Sequence, residues 1–410
     1  MSAASDTVLS AEQQEKYAWK ALWGSAIGYA MDGFDLLILG FMLSAIAADL
    51  HFTPAQSGSL VTWTLIGAVA GGVLFGNLSD IYGRVRVLTW TILLFAVFTG
   101  LCAFAQGYWD LLFYRTVAGL GLGGEFGIGM ALAAEAWPAE KRARVSSYVG
   151  LGWQAGVLLA AIVIPLLLPL IGWRGMFMVG ILPAVVAFIV RRTIGEPPIF
   201  IEKVAKQERK GLPLGLLVKD AETTKISIGM FILCSVQNFG YYGVMIWLPN
   251  YLANRFGYSL TKSAVWTSVT ILGMAFGIWL FGQLADRFGR RPIFFLYQGG
   301  AAISVLVYSQ LTDPMHLLVG GAIMGLFVNG MLGGYGALMS ELYPTEARAT
   351  AQNVLFNLGR GVGGFGPLVV GAIAAQYSFT VAIALLSILY VIDIIATALL
   401  IPERKGVPLT

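Results

Sequence analysis

Six ionisable side chains interrupt stretches that are otherwise apolar: Asp32 and Asp35 in "GYAMDGFDLLILGF", Arg115 and Glu125 in "RTVAGLGLGGEFGIG", Arg360 in "NVLFNLGRGVGG" and Asp393 in "YVIDIIA". A carboxylate at the centre of a membrane helix costs about 2.5 to 3.5 kcal/mol on the insertion scale, so each such group calls for a partner or a task. Asp32 and Asp35 are three residues apart and therefore share a helix face. Side by side in a poorly solvated space they repel, and such a pair is suited to load and unload protons near neutral pH. The competing reading is a structural ion pair, for instance Asp35 with Arg115, and the two are compatible if protonation breaks the pair. Arg360 ends a stripe of Asn353, Asn357 and Arg360 that keeps to one helix face. A planar guanidinium beside amides is suited to a two-pronged grip on a carboxylate, so Arg360 is expected to anchor an anionic substrate. Asp393 acquires no task by this reasoning.

The elements that must hold these groups follow from composition. Of 410 residues, 57% are hydrophobic and only 12% charged, too little polar surface to cover a water-soluble globule. Fifty-one glycines let helices approach closely in a membrane. Apolar runs of about 20 residues recur, long enough for membrane helices and too long for barrel strands. Twelve are expected, at 19–49, 56–80, 87–107, 109–136, 143–170, 172–191, 224–254, 262–286, 291–310, 315–341, 349–375 and 379–401. The fold class is therefore an all-α membrane protein. The polar start "MSAASDTVLSAEQQEKYAWK" lacks the pattern of a cleaved signal peptide.

Of 26 basic residues, 21 fall on one side of this arrangement, and only Arg174, Arg255 and Lys262 on the other. The positive-inside rule then puts both termini and the central loop in the cytoplasm of a multi-pass cell (inner) membrane protein. The same distribution leaves no basic patch for nucleic acid. In this orientation Arg115 lies about 10 Å above the midplane and Glu125 slightly below it, with Arg360 level with Asp32 and Asp35. Cys102 and Cys234 have no metal-type spacing, His51 and His316 sit near outer span ends, and no hydrolase constellation is present. Neither an enzyme, a metal site nor a cofactor is expected.

"FGNLSDIYGRVR" begins at Phe75 and "FGQLADRFGRR" at Phe281, an offset of 206. The same offset carries Glu135, Pro138 and Arg142 of "EAWPAEKR" onto Glu341, Pro344 and Arg348 of "ELYPTEAR". The chain thus divides into 1–192, a cytoplasmic linker at 193–222 with an apolar stripe, and 223–410, and a transport site is expected between two six-helix units. By the same shift Arg360 matches Gln154 and Asp32 matches Asn238. Proton-type acids belong to the first half, and the second offers Arg360 with Gln237, Asn238, Tyr241 and Tyr242 as hydrogen-bonding candidates. Simple core packing is the better reading for at least half of these. Gly119, Gly123 and Gly127 form a close-packing stripe rather than a phosphate loop, because the strand, the lysine and the loop are missing.

Over nearly its whole length the chain resembles the major facilitator superfamily. The signature G-x-x-x-D-R-x-G-R-R is complete as Gly282, Asp286, Arg287, Gly289, Arg290 and Arg291, and degraded in the first half, where Ile81 stands in place of its arginine beside Gly76, Asp80, Gly83 and Arg84. An Asp at the C-terminal end of its own helix opposes that helix's dipole and so implies a nearby Arg or another helix's N-terminus. Asp80, Arg84, Glu135, Arg142, Asp286, Arg287, Arg290, Glu341 and Arg348 are accordingly expected to form a cytoplasmic gate. "MDGFD" with "RTVAGLGLGGE" resembles the organic-acid proton symporters of that superfamily, which implies proton-coupling roles for Asp32, Asp35 and Arg115, with Glu125 as a further coupled charge. The expected protein is a monomeric proton symporter importing a small organic anion, most plausibly lactate or pyruvate. Sialate, aromatic acids, sugars (through "EAWPAEKR" and "IPERKG", which are similar to sugar porters) and an uncoupled facilitator remain open.

Overall fold

A computed structural model describes residues 11–182, 192–197, 213–245 and 260–406, with a few single positions between them. These residues are helical almost throughout, with no strand among them. In the first half α1 (Ala11–Leu50), α2 (Pro54–Tyr82), α3 (Arg84–Cys102), α4 (Tyr108–Ala136) and α5 (Arg142–Val179) follow one another. α5 merges the expected fifth and sixth spans across a kink at Gly172, whose φ of 65° is left-handed. In the second half come α6 (Ala221–Met245), α7 (Leu260–Phe288), α8 (Arg290–Gln310), α9 (Pro314–Gly330), α10 (Leu332–Leu342), α11 (Arg348–Gly363), α12 (Gly366–Gln376) and α13 (Phe379–Leu400). Among the described residues nine helical stretches are long and apolar enough to cross a membrane. Most of the rest of the sixth span, the seventh-to-eighth connection and most of the expected linker at 193–222 lie outside the described residues. Within that linker Pro213–Val218 forms a short 3₁₀ turn, and the Leu214 N–H donates to Asn77 of α2 at 2.9 Å.

Two expected spans are broken. The tenth divides into α9 and α10 at Met331, and the eleventh into α11 and α12 at Gly364 and Phe365. Paired glycines and Pro367, which has no N–H to return to Gly363, account for the second break. Arg360 therefore sits in the last turn of α11, beside a helix discontinuity.

Packing obeys the 206-residue repeat. α4 packs on α2 and α3, and α1 on α5; in the second half α7 packs on α9, α6 on α11 and α8 on α13. Gly119 and Gly123 bring α4 so close to α2 that a Cβ on either would strike the carbonyls of Thr64 or Ala68. The halves meet through α2 with α11 and through α5 with α7, two contacts that the repeat exchanges. Large apolar side chains such as Leu166, Leu170 and Leu368 cover the periphery, where a bilayer rather than water is the solvent.

Candidate functional site

At the end of the bundle that carries the two motif copies, each motif aspartate caps a helix of the opposite half. Asp80 accepts from the Thr350 and Ala349 N–H groups at 2.7 and 3.4 Å, the first turn of α11, and pairs with Arg84 at 2.9 Å. Asp286 accepts from the Ala143 and Arg144 N–H groups, both at 3.0 Å, the first turn of α5, and faces Arg290 at 3.4 Å. A carboxylate opposing its own helix dipole thus satisfies orphan donors of another helix.

Glutamates close the network. Glu135 Oε1 accepts from Arg84 at 3.0 Å and from Arg348 at 2.7 Å, joining the halves, while Arg84 also reaches the Thr345 carbonyl at 2.6 Å. Glu341 takes Arg290 at 2.8 Å, with Arg142 across the boundary at 3.9 Å. Arg287 does not join. It is exposed and lies over its neighbour Phe288 at 5.2 Å, which corrects its expected place in the gate and explains why Ile81 suffices in the other copy. Sequence reasoning missed Glu196 and Glu403. Glu196 accepts from the Val85 and Arg86 N–H groups at 3.2 and 2.9 Å, and Glu403 from the Arg291 N–H at 2.8 Å. Each covers the helix start that follows a glycine held at positive φ, Gly83 at 110° and Gly289 at 105°. The signal was "IGE" and "IPE" at nearly the repeat offset.

Deeper in, Asn353 and Asn357 bridge the halves instead of facing a cavity. Asn353 Oδ1 accepts from the Gly127 N–H at 2.8 Å, and Asn357 Nδ2 donates to the Gly123 carbonyl at 2.9 Å, so the two amides grasp one turn of α4. The space they occupy exists because residues 72 and 127 are glycines, since a Cβ at either would fall on the asparagine side chains. Gly127→Ala is therefore expected to wedge α4 from α11 and destabilise this arrangement by about 1–3 kcal/mol. Thermal unfolding of the purified protein checks it against Gly107→Ala, where a Cβ meets nothing within 4 Å; equal melting of the two variants would remove the wedge.

At mid-height the two helix 1 acids part company. Asp35 is held by Arg115 in a two-pronged pair at 3.1 and 2.7 Å, with both side chains buried, and the Thr99 hydroxyl lies at 3.5 Å. Asp32 is also buried and lies in electrostatic range of Arg360, as do Tyr29 and Tyr242. The expected face-to-face repulsion is thus replaced by two separate attractions, because α1 offers one acid to α4 and the other to the second half. Glu125 receives a hydrogen bond from Thr91 at 3.1 Å inside the first half.

A narrow central cavity, with room for about one water molecule, lies between the halves. Tyr29 and Trp153 line it from the first half; Gln237, Asn238, Tyr241, Tyr242, Asn329, Leu332, Phe356 and Arg360 line it from the second. The Arg360 guanidinium stands 5.2 Å from the Trp153 ring and 5.6 Å from Phe356. Gln237 donates to Asn329 at 2.7 Å, and Asn238 turns back to its own helix at Cys234. Gln154, the repeat mate of Arg360, is buried with neither amide atom hydrogen-bonded among the described residues, and it does not line this cavity. Tyr29, Trp153, Asn329 and Phe356 went unnoticed in the sequence, although Tyr29 and Phe356 lie one turn from Asp32 and Arg360.

This doubled helical framework, latched at paired motifs around a central cavity, matches the Major Facilitator Superfamily over residues 25–280 and 264–409. The chain belongs to that superfamily. It is a multi-pass membrane transporter, nearly all helical among the described residues. It is 70% identical to a putative metabolite transport protein of Haemophilus influenzae, over 95% of this chain and 97% of that one. It is 30% identical to a probable 4-methylmuconolactone transporter of Cupriavidus pinatubonensis, covering 95% and 91% of the two chains, and 31% identical to the niacin transporter NiaP of Acinetobacter baylyi, covering 87% of each. The proton:xylose symporter XylE, solved with 6-bromo-6-deoxy-D-glucose, superposes with a TM-score of 0.81 over 97% of this chain and 98% of that one at 19% identity, a likeness of fold.

Proposed function

We propose that this transporter imports a small organic anion together with protons by alternating access, with the anion's carboxylate on Arg360. The observation that carries the reading is a buried guanidinium on the wall between the halves, with Asp32 in electrostatic range. Asp32 and a substrate carboxylate compete for the same positive charge. A proton on Asp32 removes one competitor, so proton and anion favour each other's binding, and that linkage is reciprocal. Asp35 and Arg115 form the second coupled pair: protonation releases the guanidinium and frees α1 from α4, with Glu125 as a neighbouring acid. Protons are the sole coupling ion in this reading, the transporter works as a monomer, and the basic residues orient the motif end and both termini toward the cytoplasm at the cell membrane.

For the substrate class, the ring-lined wall favours a flat, conjugated monocarboxylate over lactate or pyruvate. Tyr29, Trp153, Tyr241, Tyr242 and Phe356 offer faces to stack on, and relatives named for niacin and 4-methylmuconolactone support the same choice. Uptake of labelled nicotinate and of labelled lactate into proteoliposomes, with and without an imposed pH gradient, tests it. Nicotinate is expected to accumulate only with the gradient, and Asp32→Asn is expected to bind but not accumulate. Accumulation indifferent to the gradient would exclude symport, and preference for lactate would exclude the planar substrate.

A further inference from the structure

The second half holds a buried acid that transport of the anion does not use. Asp393 on α13 has no exposed surface. Gln298 of α8, equally buried, donates from Nε2 to Asp393 Oδ2 at 3.0 Å and to Thr397 Oγ1 at 2.7 Å. Three polar atoms of this cluster, Asp393 Oδ1, Gln298 Oε1 and Tyr390 OH, have no hydrogen-bond partner among the described residues. The groups facing it among the described residues are neutral: Gln298 from α8, Cys234 from α6, Tyr335 from α10, and Tyr390 and Thr397 from α13 itself. No cation pairs with Asp393 among the described residues, in contrast to Asp35, Asp80 and Asp286, each of which faces an arginine.

An ionised carboxylate without a counter-charge does not persist in such a setting. The orphaned atoms also have a pattern. Asp393 Oδ1 and Gln298 Oε1 are both acceptors, and both lack a donor. One proton on Oδ1 supplies it: Oδ1–H donates to the amide carbonyl, while the amide N–H already donates to Oδ2, giving a two-bond acid–amide pair. We propose that Asp393 is a proton-binding site in the second half, a carboxylic acid held protonated against Gln298 that fastens α13 to α8. The site backs onto α6, the helix that presents Gln237, Asn238, Tyr241 and Tyr242 to the cavity: the Tyr390 hydroxyl lies against α6 at Gly240, so closely that a Cβ there would strike it. Its proton is retained rather than exchanged, which leaves coupling to the first half.

Infrared spectra of the purified full-length protein at mildly acid and mildly alkaline pH test this directly. The wild type is expected to show a protonated-carboxyl carbonyl band at both values that disappears in Asp393→Asn. Gln298→Ala, which keeps the acid but removes its amide partner, is expected to shift that band upward. If the difference between wild type and Asp393→Asn consists of ionised-carboxylate bands, the proposal is overturned. Should Asp393→Asn fail to fold, Gln298→Ala decides alone, a shifted band supporting the pair and an unmoved one ending it. Folded Asp393→Asn is also expected to release no fewer protons per transported anion than the wild type; loss of coupling would show an exchanging proton and refute retention.

Discussion

Replacing Arg360 with alanine is expected to abolish binding and uptake of the transported anion while leaving the protein folded. Truncating one partner of a buried, hydrogen-bonded charge pair costs about 2–5 kcal/mol, or roughly 30-fold to several-thousand-fold in affinity. The fold survives because Arg360 is a wall residue: it stands over the rings of Trp153 at 5.2 Å and Phe356 at 5.6 Å, and among the described residues no ion pair ties it into the latch network. Arg360→Lys is expected to recover only a fraction of the loss. An ammonium keeps the charge but lacks the planar fork that grips both carboxylate oxygens and the flat face that lies over Trp153. Thermal-shift titration with nicotinate measures both variants, since a ligand at free concentration L that binds only the folded state stabilises it by RT ln(1 + L/Kd) and so raises the melting temperature. A nicotinate-induced shift in Arg360→Ala equal to that of the wild type would take Arg360 out of the site.

The stripe that ends in Arg360 shows how far sequence reasoning reached. Asn353, Asn357 and Arg360 do share one face of α11, but that face is about 10 Å long from the first to the last at 1.5 Å per residue. Its lower part meets the glycine-lined backbone of α4 and its upper part opens on the cavity. Periodicity fixes which residues look the same way, and it is silent on what stands opposite at each height. The same limit applied to Asp32 and Asp35, one offered to the second half and the other to Arg115. The repeat carried more, because it constrains two copies at once: an aspartate opposed to its own dipole in both halves asks for an arginine or a helix N-terminus, and each copy has both, Arg84 with the start of α11 and Arg290 with the start of α5. The aromatic wall was hidden by composition. In a chain with 24 Phe, 16 Tyr and 11 Trp, no ring stands out until the halves are brought together.

The latch itself is uneven, and the unevenness is testable. Glu135 holds Arg348 of the opposite half at 2.7 Å, with both side chains fully buried, whereas its repeat mate Glu341 reaches Arg142 only at 3.9 Å, and Arg142 keeps 7% of its side chain exposed. Glu135→Gln removes the anion between two guanidinium groups. Arg84 still has Asp80 at 2.9 Å, while Arg348 loses the carboxylate at 2.7 Å and keeps, among its partners, the Ser340 carbonyl and the Thr345 hydroxyl. Removing one partner of a buried charge pair costs about 3–5 kcal/mol, and the loss falls on the arrangement closed at the motif end, because opening carries Arg348 away from Glu135 in any case. The balance between closed and open forms is therefore expected to move by roughly a hundredfold or more. Hydrogen–deuterium exchange of the first turn of α11, whose Thr350 N–H is capped across the boundary by Asp80 at 2.7 Å, is expected to quicken by at least about tenfold in Glu135→Gln. Glu341→Gln is expected to quicken the first turn of α5 less, since the contact it loses across the boundary is already long and partly solvated. Exchange in Glu135→Gln at the wild-type rate would mean that closure rests on the helix caps and the asparagine grasp of α4 rather than on the shared glutamate.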